Sequence, residues 1–132
     1  MKNSKLLFAS LIVSGIILMA MGFTNADEWI VPAKYKTMEN PYASSSDDYG
    51  SELYETHCTS CHGDEGYGDG KKAETLETSM RELGSEEVQS QTDGELYYKS
   101  VIGRDEMSNF EKKISSVEDR WLLINYLRTL AE

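Results

Sequence analysis

Residues 58 to 62 read Cys-Thr-Ser-Cys-His, and this stretch holds both cysteines of the chain and one of its two histidines. Two thiols with two residues between them can reach two neighbouring vinyl groups of a porphyrin from one short turn. An imidazole that follows at once lies beneath the metal. C-x-x-C-H is therefore read as a c-type haem attachment site, with Cys58 and Cys61 as covalent anchors and His62 as an axial iron ligand. A chain that carries such a site must fold around a largely apolar ring, which then supplies much of the core of a small domain.

Three other readings of the pentapeptide stand beside this one. A thioredoxin-like redox pair wants a βαβ context, and no such pattern surrounds these residues. A structural zinc site wants four ligands, and only His57, Cys58, Cys61 and His62 are available, crowded into one stretch. A plain disulfide is open to any exported chain.

The amino terminus carries the marks of export. Lys2 and Lys5 open the chain, Leu6 to Phe23 is apolar apart from serine and glycine, and Thr24-Asn25-Ala26 ends on a small residue. Residues 1–26 are read as a signal peptide cleaved after Ala26. The apolar run also approaches the length that spans a bilayer, so retention as an N-terminal anchor, with the lysines held in the cytoplasm, is the alternative. The whole chain has a formal charge of −10, and losing Lys2 and Lys5 with the leader takes it to −12. Such acidity speaks against nucleic-acid binding. It suits docking on a positively charged partner face, and equally a merely soluble surface.

Residues 27–47 show no sustained hydrophobic period and contain Asn40-Pro41 and Ser44-Ser45-Ser46. They are read as an extended tether, with Trp29-Ile30-Val31-Pro32 as a candidate docking element. The folded domain is placed at 48–132. A short helix is predicted from Tyr49 to His57 with Asp47 or Asp48 as its cap. The four-glycine stretch Gly63–Gly70 lacks the Gly-Lys-Ser/Thr ending of a phosphate loop and carries acidic residues, so it is read as a loop wrapping a ring edge. A helix near Ala73 to Leu83 is weakly indicated. Another is predicted from Asp93, as its cap, to Ile102, ended by Gly103. The last is predicted from a Ser115/Glu118 capping box through Val117, Trp121, Ile124 and Leu127 at helical spacing. No strand is indicated, and the fold class is all-α.

A second iron ligand must come from elsewhere in the chain. His57 is too close to Cys58 to reach the opposite face of a ring. The methionines beyond residue 26 are Met38, Met80 and Met107. Met38 lies in the tether and Met80 in a helix-like polar stretch. Met107 lies in a loop between two predicted helices, which can carry a side chain across a ring, so it is the candidate axial ligand; an ordinary core methionine is the competing reading.

With these residues in view, the chain resembles monohaem class I cytochromes c of the exported bacterial type. The resemblance rests on Gly50-x-x-Leu53-Tyr54, Cys58-Thr59-Ser60-Cys61-His62-Gly63, Gly66-x-Gly68-Asp69-Gly70, Asp93-Gly94-Glu95-Leu96-Tyr97, Gly103-Arg104, Met107-x-x-Phe110 and Asp119-Arg120-Trp121 with Tyr126-Leu127-Arg128. It implies helices enclosing one haem c, with His62 and Met107 as axial ligands. It also implies that the first and last helices cross where Gly50 and Tyr54 meet Leu123 and Tyr126. The activity it implies is electron transfer in the periplasm or at the outer face of the cytoplasmic membrane. The partners would be a membrane quinol-oxidising donor and a terminal oxidase or reductase, with membrane contact only if residues 6–23 are retained. A haem c subunit of a larger oxidoreductase, or a haem enzyme or sensor with a labile Met107 bond, are the alternatives. Two departures stand out. Ser108 replaces the family's proline after the methionine, and Lys71 stands near the place where the family often has a proline whose carbonyl receives the proximal histidine's N–H. A carbonyl near Lys71 is still expected to orient His62.

Overall fold

The computed structural model describes residues 29–131. The signal-peptide or anchor reading of 1–26, and residues 27–28, lie outside the described residues. Among those described, no helix is long and apolar enough to cross a membrane.

Six α-helical segments and no strand make up the described chain: α1 (Ala33–Lys36), α2 (Tyr49–His57), α3 (Thr59–His62), α4 (Glu86–Gln89), α5 (Asp93–Tyr97) and α6 (Val117–Thr129). A single 3-10 turn spans Ala73–Thr75, and α5 runs on into a π-helical turn, Tyr98–Ile102. The all-α expectation holds.

The frame is the crossing of α2 and α6. Gly50 makes it possible: a Cβ there would lie 2.1 Å from the Leu122 carbonyl oxygen. One turn on, the Tyr54 and Tyr126 rings meet with centroids 5.1 Å apart. Leu53 and Tyr54 of α2 and Trp121, Leu123, Ile124 and Leu127 of α6 are buried with Leu96, Tyr97 and Val101 in one apolar cluster. The spacing of the α6 residues follows the helical period, which is why this helix was legible. Val117, placed on that stripe by its spacing, is instead exposed at the helix start.

Helix starts differ in detail from expectation. Asp48 stands at the N-cap of α2 without a side-chain bond, while the Asp47 carboxylate accepts the Tyr49 N–H at 2.9 Å. Helix α5 is capped by Thr92, not Asp93, in a full capping box with Glu95. Asp93 is thereby free to bond Arg128 and Asn40 across the fold. Helix α6 is capped by Ser116, one residue later than predicted. The helix indicated over 73–83 reduces to the 3-10 turn Ala73–Thr75.

The largest correction concerns the tether. Residues from Val31 onward belong to one compact unit, so folding begins well before residue 48. Val31 is buried, α1 packs against α5, and the Tyr35 ring lies 4.7 Å from Tyr98 and 6.3 Å from Tyr97. The Asn40 amide donates to Asp93 at 3.0 Å and to the Asn125 side-chain oxygen at 2.8 Å. Asn125 in turn donates to the Tyr42 carbonyl. The segment is a strap fixed by polar and aromatic contacts to distant positions, which no local period announces.

Candidate functional site

The pentapeptide begins at the end of α2 and forms α3. The Cys58 N–H closes the last turn of α2 on the Tyr54 carbonyl at 2.8 Å, and the His62 N–H bonds the Cys58 carbonyl at 2.9 Å. The anchors are thus carried on backbone that the α2–α6 crossing holds in place. Cys58 is buried in the apolar cluster and Cys61 is half-buried, and the two thiols are not joined. Burial, and then the nearby Cys61, push the Cys58 thiol up to about 12. A redox-active pair needs a thiol that ionises readily, and this one does not. Among the described residues, no group of three or more His, Cys, Asp or Glu side chains could hold a metal ion. The disulfide, thioredoxin-like and zinc readings therefore find no support in this geometry.

His62 is partly buried, and burial lowers its tendency to protonate, leaving a neutral imidazole with a lone pair to give. Its Nδ1 is buried without any hydrogen-bond partner. Buried polar atoms are normally paired, so a neutral ring with an orphaned nitrogen fits a side chain whose full set of partners includes a bound group. The expected carbonyl near Lys71 does not reach it. The 70–72 segment instead turns its N–H groups toward α3: Gly70 N–H donates to the Cys61 carbonyl at 3.2 Å and Lys72 N–H to that of Ser60 at 2.8 Å.

The glycine-rich loop likewise closes on the pentapeptide's own backbone. Gly68 N–H donates to the His62 carbonyl at 2.8 Å, and a Cβ on Gly70 would lie 2.5 Å from the Thr59 carbonyl oxygen. Close approach of backbone to backbone, rather than to a ring edge, is what this glycine serves. At the loop's start the Gly63 carbonyl accepts the buried Tyr54 hydroxyl at 2.8 Å. Burial of that hydroxyl raises its tendency to stay protonated, so it remains a donor. Tyr54 therefore ties the residue after His62 to the main helix crossing, a role its sequence position alone did not reveal.

Met107 is partly buried and packs on the same apolar cluster as Cys58. Its N–H bonds the Arg104 carbonyl at 2.8 Å in a tight turn. Phe110, three residues on, is buried and meets the His57 ring with centroids 5.7 Å apart. His57 is thus a packing residue beside the attachment turn. Met38 also packs on the core, from the strap, and Met80 lies against Gly68, its Cβ 2.8 Å from where a glycine Cβ would stand.

The residues present suit a covalently attached haem: two free thiols, a neutral, partly buried imidazole whose Nδ1 lacks a partner, and a thioether packed on the same cluster. The family model described as Cytochrome c matches residues 48–131. The strap lies before the matched stretch. No curated protein matches the chain.

Proposed function

The chain belongs to the cytochrome c family, and from that premise we propose that it is an electron carrier in an envelope respiratory chain. Its cofactor is haem c, held covalently through the single C-x-x-C-H stretch. The haem supplies a one-electron Fe(III)/Fe(II) couple that its surroundings tune. Cys58 and Cys61 would each add a thiol across one vinyl group. The sulfur bonds one vinyl carbon, the thiol proton passes to the other, and nothing is oxidised. His62 would give its neutral imidazole to the iron and Met107 its thioether. Thioether ligation raises the potential and closes the position where a small ligand would enter.

The observation that carries this reading is His62, partly buried, neutral and with a buried, unpaired Nδ1 beside two free thiols. The partners that suit it are a membrane quinol-oxidising donor and a terminal oxidase or reductase, each offering a basic docking face. Asp64, Glu65 and Asp69 stand exposed on the loop just after His62, and a chain of charge −10 would be steered by such a face. Electron-transfer rates should then fall with rising salt.

The test is the visible spectrum of the haem-loaded protein, oxidised and reduced, with and without carbon monoxide. Sharp low-spin bands indifferent to carbon monoxide support a dedicated carrier. A prompt shift would mean an open or labile sixth position, and would replace this reading with catalysis or ligand sensing.

A further inference from the structure

Glu106 stands directly before Met107 and bonds a distant stretch of chain. One carboxylate oxygen accepts the backbone N–H of Glu77 at 3.0 Å, and the other accepts that of Thr78 at 2.8 Å. A carboxylate spread over two successive N–H groups makes a pair of charge-assisted bonds, stronger and more directional than neutral ones.

The turn that carries Met107 is shaped from within. Gly103 has φ +70°, and a Cβ there would lie 2.2 Å from the Met107 carbonyl oxygen. Asp105 sits in the left-handed region at φ 49°, and the Met107 N–H closes on Arg104. These features give the turn its form without fixing it to the segment beside it. Ser108 has no ring to stiffen the chain on the far side of the methionine.

We propose that Glu106 is a positioning residue for Met107, its carboxylate clasping the Met107 turn to the 77–78 backbone and so holding the thioether in place. This rests on Met107 being the sixth iron ligand. The clasp acts on the ligand's freedom to leave, not on the helix core.

The experiment is the rate of carbon monoxide binding to the ferrous, haem-loaded protein at saturating gas, where the thioether must leave first. Glu106→Ala is expected to raise that rate roughly ten-fold, the scale of losing a bonded pair. Glu106→Gln should fall between, since its amide keeps one acceptor. Glu74→Gln, which removes an exposed charge on the neighbouring 3-10 turn, should leave the rate unchanged. The thermal midpoint of Glu106→Gln should stay near that of the wild type, separating the clasp from general stability. A wild-type rate in Glu106→Ala, or an equal rise in Glu74→Gln, would overturn the proposal. Met107→Ala is run beside them. If it binds carbon monoxide promptly, the ligand assignment stands whatever Glu106 does; if it resists as the wild type does, that assignment itself fails.

Discussion

The His57 ring lies against Phe110 with centroids 5.7 Å apart, joining the residue before the first attachment cysteine to the one three places after Met107. The two halves of the site are therefore packed on each other through the protein. The Lys113 ammonium also lies over the Phe110 ring, 4.9 Å from its centre. Phe110→Ala should destabilise the haem-loaded protein by about 3 kcal/mol, the lower range for removing a buried aromatic ring. Phe110→Leu should cost about half as much. Guanidinium unfolding followed by tryptophan fluorescence measures both. A loss under ~1 kcal/mol for the alanine variant would mean the ring contributes little to joining the halves.

The strap offers a separable test. Asn40 bonds Asp93 and Asn125 at once, so its removal leaves two part-buried groups short of a partner. Asn40→Ala should cost about 1–3 kcal/mol. Removing residues 1–47 altogether should lower the melting temperature further than removing 1–28. Equal melting of the two truncations would make the segment the passive tether that its composition suggested.

What could be read in the residues and what could not follow from the range of each interaction. The attachment turn is legible because covalent chemistry demands thiols and an imidazole at fixed spacing. Helix α6 is legible because Trp121, Ile124 and Leu127 repeat with the turn of the helix. The strap is not, since Asn40 and Tyr35 act on partners far along the chain and have no period of their own. Thr92 and Asp93 are both good caps, and only the fold decides that one caps while the other pairs with Arg128. Glu106 was silent because its partners are backbone N–H groups, which any residue could supply. The proline-like role assigned near Lys71 failed for a similar reason: side-chain identity does not say whether a segment turns its carbonyls or its N–H groups inward.

Arg128 ties α6 to the single stretch from Gln89 to Asp93 through three acceptors. Its guanidinium bonds Asp93 at 2.7 Å, the Gln89 carbonyl at 2.7 Å and the Gln91 carbonyl at 2.6 Å. Both members of the ion pair are about a quarter exposed (28% and 27%), so solvent screens it in part. Arg128→Ala should cost about 2 kcal/mol, between the exposed and fully buried cases. Arg128→Lys should recover little, because one ammonium cannot reach all three acceptors in the guanidinium's planar fork. Urea unfolding of the two variants settles it, and a near-wild-type lysine variant would reduce the interaction to charge alone.

Glu95 makes the stability of the α5 start depend on pH. Its carboxylate accepts the Thr92 backbone N–H at 2.9 Å and the Thr92 hydroxyl at 3.2 Å. The backbone bond is the main reason that its carboxyl is held below the usual range. A carboxyl whose pKa falls on folding adds stability that is fully present above its unfolded pKa of about 4.3 and is lost as pH drops through the lower folded value. Glu95→Gln should therefore be less stable than the wild type near about pH 6, with the gap closing as the wild-type carboxyl is protonated below about pH 4. Thr92→Ala should cost ~1 kcal/mol even at low pH, because it removes the hydroxyl that caps the helix in either protonation state, and somewhat more above about pH 4, where that hydroxyl also bonds the ionised Glu95 carboxylate. Denaturant midpoints of the haem-loaded proteins at several pH values measure the gap, and one that stays constant down to about pH 3 would mean that the charge on Glu95 contributes nothing to the cap.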